Sequence, residues 1–160
     1  MITVQTKDFD IASEYETLRE SSPEAGAIVT FTGLVRELTH LHEGKQSTTR
    51  LTAMELEHYP AMTQKALSDI EIEARKRWDI DQVRLIHRVG QLKPQDQIVF
   101  VGVSSAHRRE TFSACEFIMD FLKTRAPFWK KEITTEGGQW VEARESDDAA
   151  AQRWDTPKTL

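Results

Sequence analysis

Residues Ile98–Val103 (IVFVGV) form the most constraining stretch of the chain, six residues without a polar side chain. The run is far too short to cross a membrane. Its continuity reads as a buried, central strand rather than one with a wet face. Two long amphipathic stretches accompany it. One starts at Pro60, which suits a first helical turn, and runs to about Trp78. Its apolar stripe is Met62, Ala66, Ile70 and Ala74, with Leu67 beside it. The other runs from Ser105 to Lys123, with Phe112, Cys115, Met119 and Leu122 on the face expected to be buried. Further strands are expected over Ala25–Val35, over Leu51–His58 with Met54 and Leu56 on one side, and over Val83–Val89. Short strands near Lys130–Ile133 and Gln139–Ala143 would close a hairpin at Thr135–Gln139, where paired glycines suit a tight turn. A short helix capped by Asp10 runs to Arg19, and a polar helix is expected from Asp147 to Trp154.

The order is therefore α-β-β-α-β-β-α-β-β before the last short helix. It implies a layered α/β sandwich with helices on one face of a mixed or antiparallel sheet. Strand–helix units do not repeat cleanly, which argues against a doubly wound nucleotide fold. Neither a GxGxxG nor a GxxxxGK run occurs. At 160 residues the chain is the size of one domain, 1–160, able to hold a core without disulfide or metal. Its polar segment over 37–50 is expected to be an exposed, mobile loop. Gly90–Gln97 reads as a turn, and Thr156–Leu160 as a frayed end. No basic start followed by an apolar run is visible at the N-terminus, and no stretch approaches a membrane span. A cytoplasmic location is the expectation. A single cysteine, Cys115, can form neither an internal disulfide nor a thiolate cluster. The spacing of His40, His42 and His58 fits no zinc pattern, so no metal is expected.

The chemistry is concentrated in residues 103–132. This stretch holds six Lys or Arg and four Asp or Glu, a net +2 inside a chain of formal charge −5. His107, Arg108 and Arg109 open the second long helix, where free N–H groups and cationic side chains suit an anion. Solvated surface residues would give the same pattern. Lys123 directly follows the apolar stripe, so a partly buried amine is one reading and an ordinary helix-end lysine the other. Lys130 follows Pro127-Phe128-Trp129, whose rings could fix it, but a strand-edge lysine is equally ordinary. Arg36 ends the strand Phe31-Thr32-Gly33-Leu34-Val35 and could enter a pocket. His87 is in phase with Val83 and Leu85, as a core or interface histidine would be, and Cys115 reads as a small core residue. The helix is about 18 residues or roughly 27 Å long, so His107 and Lys123 cannot meet along it within one subunit. If both serve one site, either the chain folds back through Pro127 or two subunits each supply one end.

Several runs together carry a resemblance: AIVTFTGLVR at 27–36, LEHYPAMT at 56–63, IHRVG at 86–90, FVGVSSAHR at 100–108, FIMDFLKTRAPFWK at 117–130 and WVEAR at 140–144. They resemble the MoaE family, the catalytic subunits of molybdopterin synthase, over roughly residues 5–154. The resemblance implies an α/β hammerhead fold with a small antiparallel β-rich subdomain, a central homodimer and no cofactor. It implies that a small ubiquitin-like (MoaD-like) sulfur carrier inserts its thiocarboxylated Gly-Gly tail. Two sulfurs then pass to cyclic pyranopterin monophosphate to make the molybdopterin dithiolene. By position it makes Lys123 and Lys130 catalytic. It makes Arg36, His107, Arg108, Lys131 and Glu132, together with both lysines, substrate-binding. Leu34 departs from the lysine that several bacterial relatives carry there.

Two other classes compete. A noncatalytic module for a ubiquitin-like protein would not need Lys123, Lys130, His107 and Arg108 all intact. A nucleic-acid binder is disfavoured by the overall acidity, and no membrane partner is expected.

Overall fold

The computed structural model describes residues 1–37, 49–141 and 145–155. Most of the expected loop, with His40 and His42, lies outside the described residues, as do Ala143 of the expected last strand and the tail from Thr156. The elements run β1 (Ile2–Gln5), α1 (Ile11–Glu20), β2 (Ala27–Leu34), β3 (Ala53–His58), α2 (Pro60–Arg77), β4 (Val83–Arg88), β5 (Gly90–Leu92), β6 (Gln97–Ser105), α3 (Arg108–Arg125), β7 (Phe128–Thr134), β8 (Gly137–Val141) and α4 (Glu145–Gln152). They build two four-stranded sheets, ordered β1-β4-β6-β2 and β5-β3-β7-β8. In the first, β1 is parallel to β4 and the other pairs are antiparallel, so the sheet is mixed. The second is antiparallel throughout and forms the β-rich part of the sandwich.

The apolar run predicted to be central is β6, paired on both sides, with Phe100, Val101 and Val103 fully buried. Its side chains alternate, and each face has its own cover. Val99, Val101 and Val103 join Val83 and Leu85 of β4 in the main core. There they pack under Leu67, Ile70 and Ala74 of α2 and Ala114, Cys115, Ile118 and Leu122 of α3. On the other face, Phe100 and Ile86 pack with Phe9. A Cβ added at Gly102 would lie 2.9 Å from Leu18 Cδ2, so α1 lies close over this second face. Helices therefore cover both faces, not one, because β4 and β6 carry apolar residues on both sides. Val35, Leu51, Met54, Leu56 and Leu92 form a separate core under the second sheet.

Several boundaries differ from expectation for local reasons. The second long helix begins at Arg108 rather than Ser105, because Ser104 and Ser105 complete the pairing of β6 with Ile28 and Ala27. Ser105 Oγ also donates to Asp79 O at 2.7 Å. Phe112 is 62% exposed and Met62 is 59% exposed. Each stands off the stripe that packs inward, which on α3 is Thr111, Ala114, Cys115, Ile118 and Leu122 and on α2 is Thr63, Leu67, Ile70 and Ala74. Within the expected turn at 90–97, Gly90–Leu92 forms β5 against β3. β1 was not expected at all. The final hairpin turns on Thr135 and Glu136, and its two glycines start β8 opposite Thr134 and Ile133. The last helix starts at Glu145, two residues before the expected Asp147.

Candidate active site

A cavity of about 410 Å³ opens where β2, β7 and the C-terminal end of α3 meet. Four of the residues singled out in the sequence line it: Arg36, Lys123, Lys130 and Glu132. Each arrives by a different local route. Arg36 follows the end of β2, where Val35 N donates to Asp96 O and Gln95 N donates to Val35 O, both at 2.9 Å. Just before it, Gly33 sits so close to Val99 that a Cβ would meet Cγ1 at 2.8 Å. The pairing of β2 with β6 slips between Gly33 and Leu34. Leu34 lines the cavity while 49% exposed.

Lys123 sits in the last turn of α3, where a cation is favoured by the helix dipole. The chain then turns through Ala126 and Pro127, and Phe128 starts β7. This fold-back brings Lys130 into the same cavity as Lys123. Strand alternation does the rest. Lys130 and Glu132 point to one side of β7, and Glu132 is buried. Lys131 points to the other side, with its ammonium over the Trp140 ring at 5.4 Å from the centroid, and does not line the cavity. His107 and Arg108 lie at the opposite end of α3. They are exposed and are no part of the cavity of their own chain.

Two titratable side chains lining the cavity were not singled out for a site. Asp147 of α4 places Oδ1 3.6 Å from Lys123 Nζ. His87, read from the sequence as a core or interface residue, is buried in the cavity wall. Its ring stacks on Phe128 at 3.8 Å and 13°. Nδ1 lies 2.8 Å from Arg88 O, so Nδ1 carries the proton and donates, and Nε2 is bare. Burial lowers the His87 pKa from 6.5 to about 4; the bond to Arg88 O opposes the shift, and the nearby charges of Lys130 and His58 add to it. The imidazole is therefore neutral at physiological pH and forms an uncharged shelf beneath Phe128. Its period-two position was visible in the sequence; its aromatic partner across the two sheets was not.

Cys115 is buried in the main core, and burial pushes its thiol up to about 11, which suits packing rather than nucleophilic chemistry. Among the described residues, no group of three or more His, Cys, Asp or Glu is placed to hold a metal ion. No described helix is long and apolar enough to cross a membrane. The arrangement of three cationic side chains, two carboxylates and a neutral aromatic wall suits an anionic group whose charge changes during reaction.

Comparison with known proteins agrees with this chemistry. A family model described as MoaE protein matches residues 4–125. The molybdopterin synthase catalytic subunit of Escherichia coli is 56% identical over 153 residues, which are 96% of this chain and 97% of that protein. The corresponding subunit of Vibrio cholerae is 53% identical over 154 residues, at 96% and 97% coverage. Among solved structures, the molybdopterin biosynthesis MoaE protein of Burkholderia ambifaria superposes with a TM-score of 0.80 at 50% identity. The match covers 98% of this chain and 99% of that one.

Proposed function

The chain belongs to the MoaE family of molybdopterin synthase catalytic subunits, and from that premise we propose that the cavity holding Lys123 and Lys130 is where its sulfur transfer takes place. The protein is a sulfurtransferase that acts with a small carrier protein. The observation that carries the site assignment is the fold-back through Pro127, which delivers two lysines, seven positions apart in sequence, to one cavity with Glu132 and Arg36.

In this reading the carrier's Gly-Gly tail enters the cavity, glycine being the residue that lets a backbone pass with the least bulk. Its terminal thiocarboxylate meets Lys123, and Lys130 lies along the tail or the pterin. As sulfur leaves the carrier for cyclic pyranopterin monophosphate, negative charge develops at the acyl carbon's oxygen and at the pterin. Lys123 stabilises that charge or moves a proton to it. Arg36 offers a charge-assisted donor to the substrate's phosphate. Glu132, buried beside Lys130's position on β7, holds the cationic strand face in register. Two transfers complete the dithiolene; in each, sulfur bonds to the pterin and water then hydrolyses the acyl–sulfur bond, which leaves the carrier with an ordinary carboxylate and the sulfur as a thiolate on the pterin.

His107 and Arg108 enter this scheme from a second subunit. Their own chain sets them a full helix length away from Lys123, so a central homodimer that apposes one subunit's α3 start to its partner's cavity would complete the anion site.

The decisive experiment is dithiolene formation from the purified chain, its thiocarboxylated carrier and cyclic pyranopterin monophosphate, run in parallel with Lys123→Ala. Product from the wild type and a loss of at least about 100-fold in the variant are expected, the size typical of a removed charge-stabilising group. Near-normal turnover by a folded Lys123→Ala protein would remove Lys123 from the chemistry.

A further inference from the structure

The contact between Lys123 and Asp147 has no part in the scheme above, and its geometry is informative. Asp147 comes from α4, and α4 is firmly anchored beyond its C-terminal end. Trp154 Nε1 donates to Asp120 Oδ2 at 2.7 Å, and Arg153 pairs with both Asp120 and Glu116 of α3. Arg77 of α2 donates to Trp154 O at 2.7 Å, and Trp154 meets Trp78 edge-on at 5.5 Å. Ala151 is buried against the main core. Asp120 lies one turn before Lys123, so the same stretch of α3 that fastens α4 also faces its carboxylate. The fold thus carries Asp147 to the cavity.

The contact itself is loose. At 3.6 Å it is an ion pair without a hydrogen bond, and the Lys123 and Asp147 side chains are 47% and 26% exposed. Such a pair adds little to stability and exchanges readily for another anion. A carboxylate set beside an ammonium inside an anion-binding cavity resembles the terminal group that the cavity is read as receiving.

We propose that Asp147 is an internal stand-in for the carrier's terminal carboxylate, pairing with Lys123 when the tail is absent and competing with it when the tail enters. The inference rests on the reading of Lys123 as the residue that meets the tail. Its functional sense lies in release. Each transfer ends with a spent carboxylate against Lys123, and two carriers must come and go for every product. A resident anion that reclaims Lys123 speeds the departure of the spent carrier and makes room for the next.

The test uses the carrier with its ordinary carboxylate end and a carrier shortened by its last two residues. Each is titrated against the wild type, Asp147→Asn and Lys123→Ala. With the competing charge removed, Asp147→Asn should bind the full-length carrier about two- to fivefold more tightly, the range of one exposed ion pair, and chiefly through a slower off-rate. The gain should shrink at high salt. The shortened carrier should bind Asp147→Asn and wild type alike. Equal or weaker binding of full-length carrier by Asp147→Asn overturns the inference, and so does an equal gain for the shortened carrier, which would mark a general charge effect. Lys123→Ala separates the two readings. If it binds the full-length carrier as the wild type does, the role of Lys123 toward the tail fails. If it binds more weakly while Asp147→Asn is unchanged, only the role of Asp147 fails.

Discussion

His87 shows how one side chain links the core to the cavity. In the unfolded chain its ring takes up a proton near pH 6.5; in the folded protein it stays neutral down to about pH 4. Between those values the unfolded state binds the proton first. Stability is therefore complete above pH 6.5 and is lost as the pH falls toward 4, by at most about 3 kcal/mol from this group. His87→Phe keeps a ring against Phe128 and removes the proton site. Denaturant midpoints at pH 7.5 and 4.5 should differ less for His87→Phe than for the wild type; an identical acid loss in both would show that His87 does not set it. At this scale much of the candidate site was legible. Lys123, Lys130 and Arg36 lie in runs that stood out in the sequence, and the fold brings them into one cavity with Glu132. Asp147 carried no signal, since an aspartate in the run ESDDAAAQ reads as a solvated helix face, and only the packing of Trp154 and Arg153 turns that face inward.

Elements were harder to delimit than to recognise. β6 stood out because an unbroken apolar run has few uses other than a covered strand. The start of α3 did not, because Ser104 and Ser105 are as acceptable in a first helical turn as at a strand end, and the choice is made by β2 alongside them. β1 and β5 are short, and their pairing depends on partners distant in sequence (β4 for the first, β3 for the second). α1 was foreseen, but not the face it would cover. That face is readable in the structure at Gly102, where a Cβ would meet Leu18 at 2.9 Å and Phe100 at 3.1 Å. Gly102→Ala should force α1 outward and cost about 1–3 kcal/mol, the usual range for overpacking. Chemical denaturation measures this directly, and a stability within about 0.5 kcal/mol of wild type, the usual scatter of surface substitutions, would mean that α1 floats rather than packs.

At the scale of the molecule, α3 separates two sets of side chains that the proposed function brings together. Seventeen steps of 1.5 Å hold Arg108 about 25 Å from Arg125, too far for His107 and Lys123 to act on one substrate in one subunit. A site shared across a two-fold axis makes a sharp prediction about mixed dimers. Lys123→Ala and Arg108→Ala should each be inactive alone. Refolded together in equal amounts they should recover about a quarter of wild-type activity, since half of the dimers then contain one intact site of two. No recovery, with exchange of subunits verified, would confine each site to one chain. A helix employed at both ends also restricts how such a protein can change in length. An extra residue in the Thr135–Glu136 turn is absorbed by the hairpin. An extra residue in the middle of α3 rotates everything beyond it by about 100° and advances it by about 1.5 Å. Lys123 would swing off the cavity, the clamp on α4 would lose Asp120, and the distance from one active site to the next would no longer fit. Insertions and deletions among relatives should therefore collect in the turns and spare residues 108–125, keeping the helix constant in length while the loops around it drift.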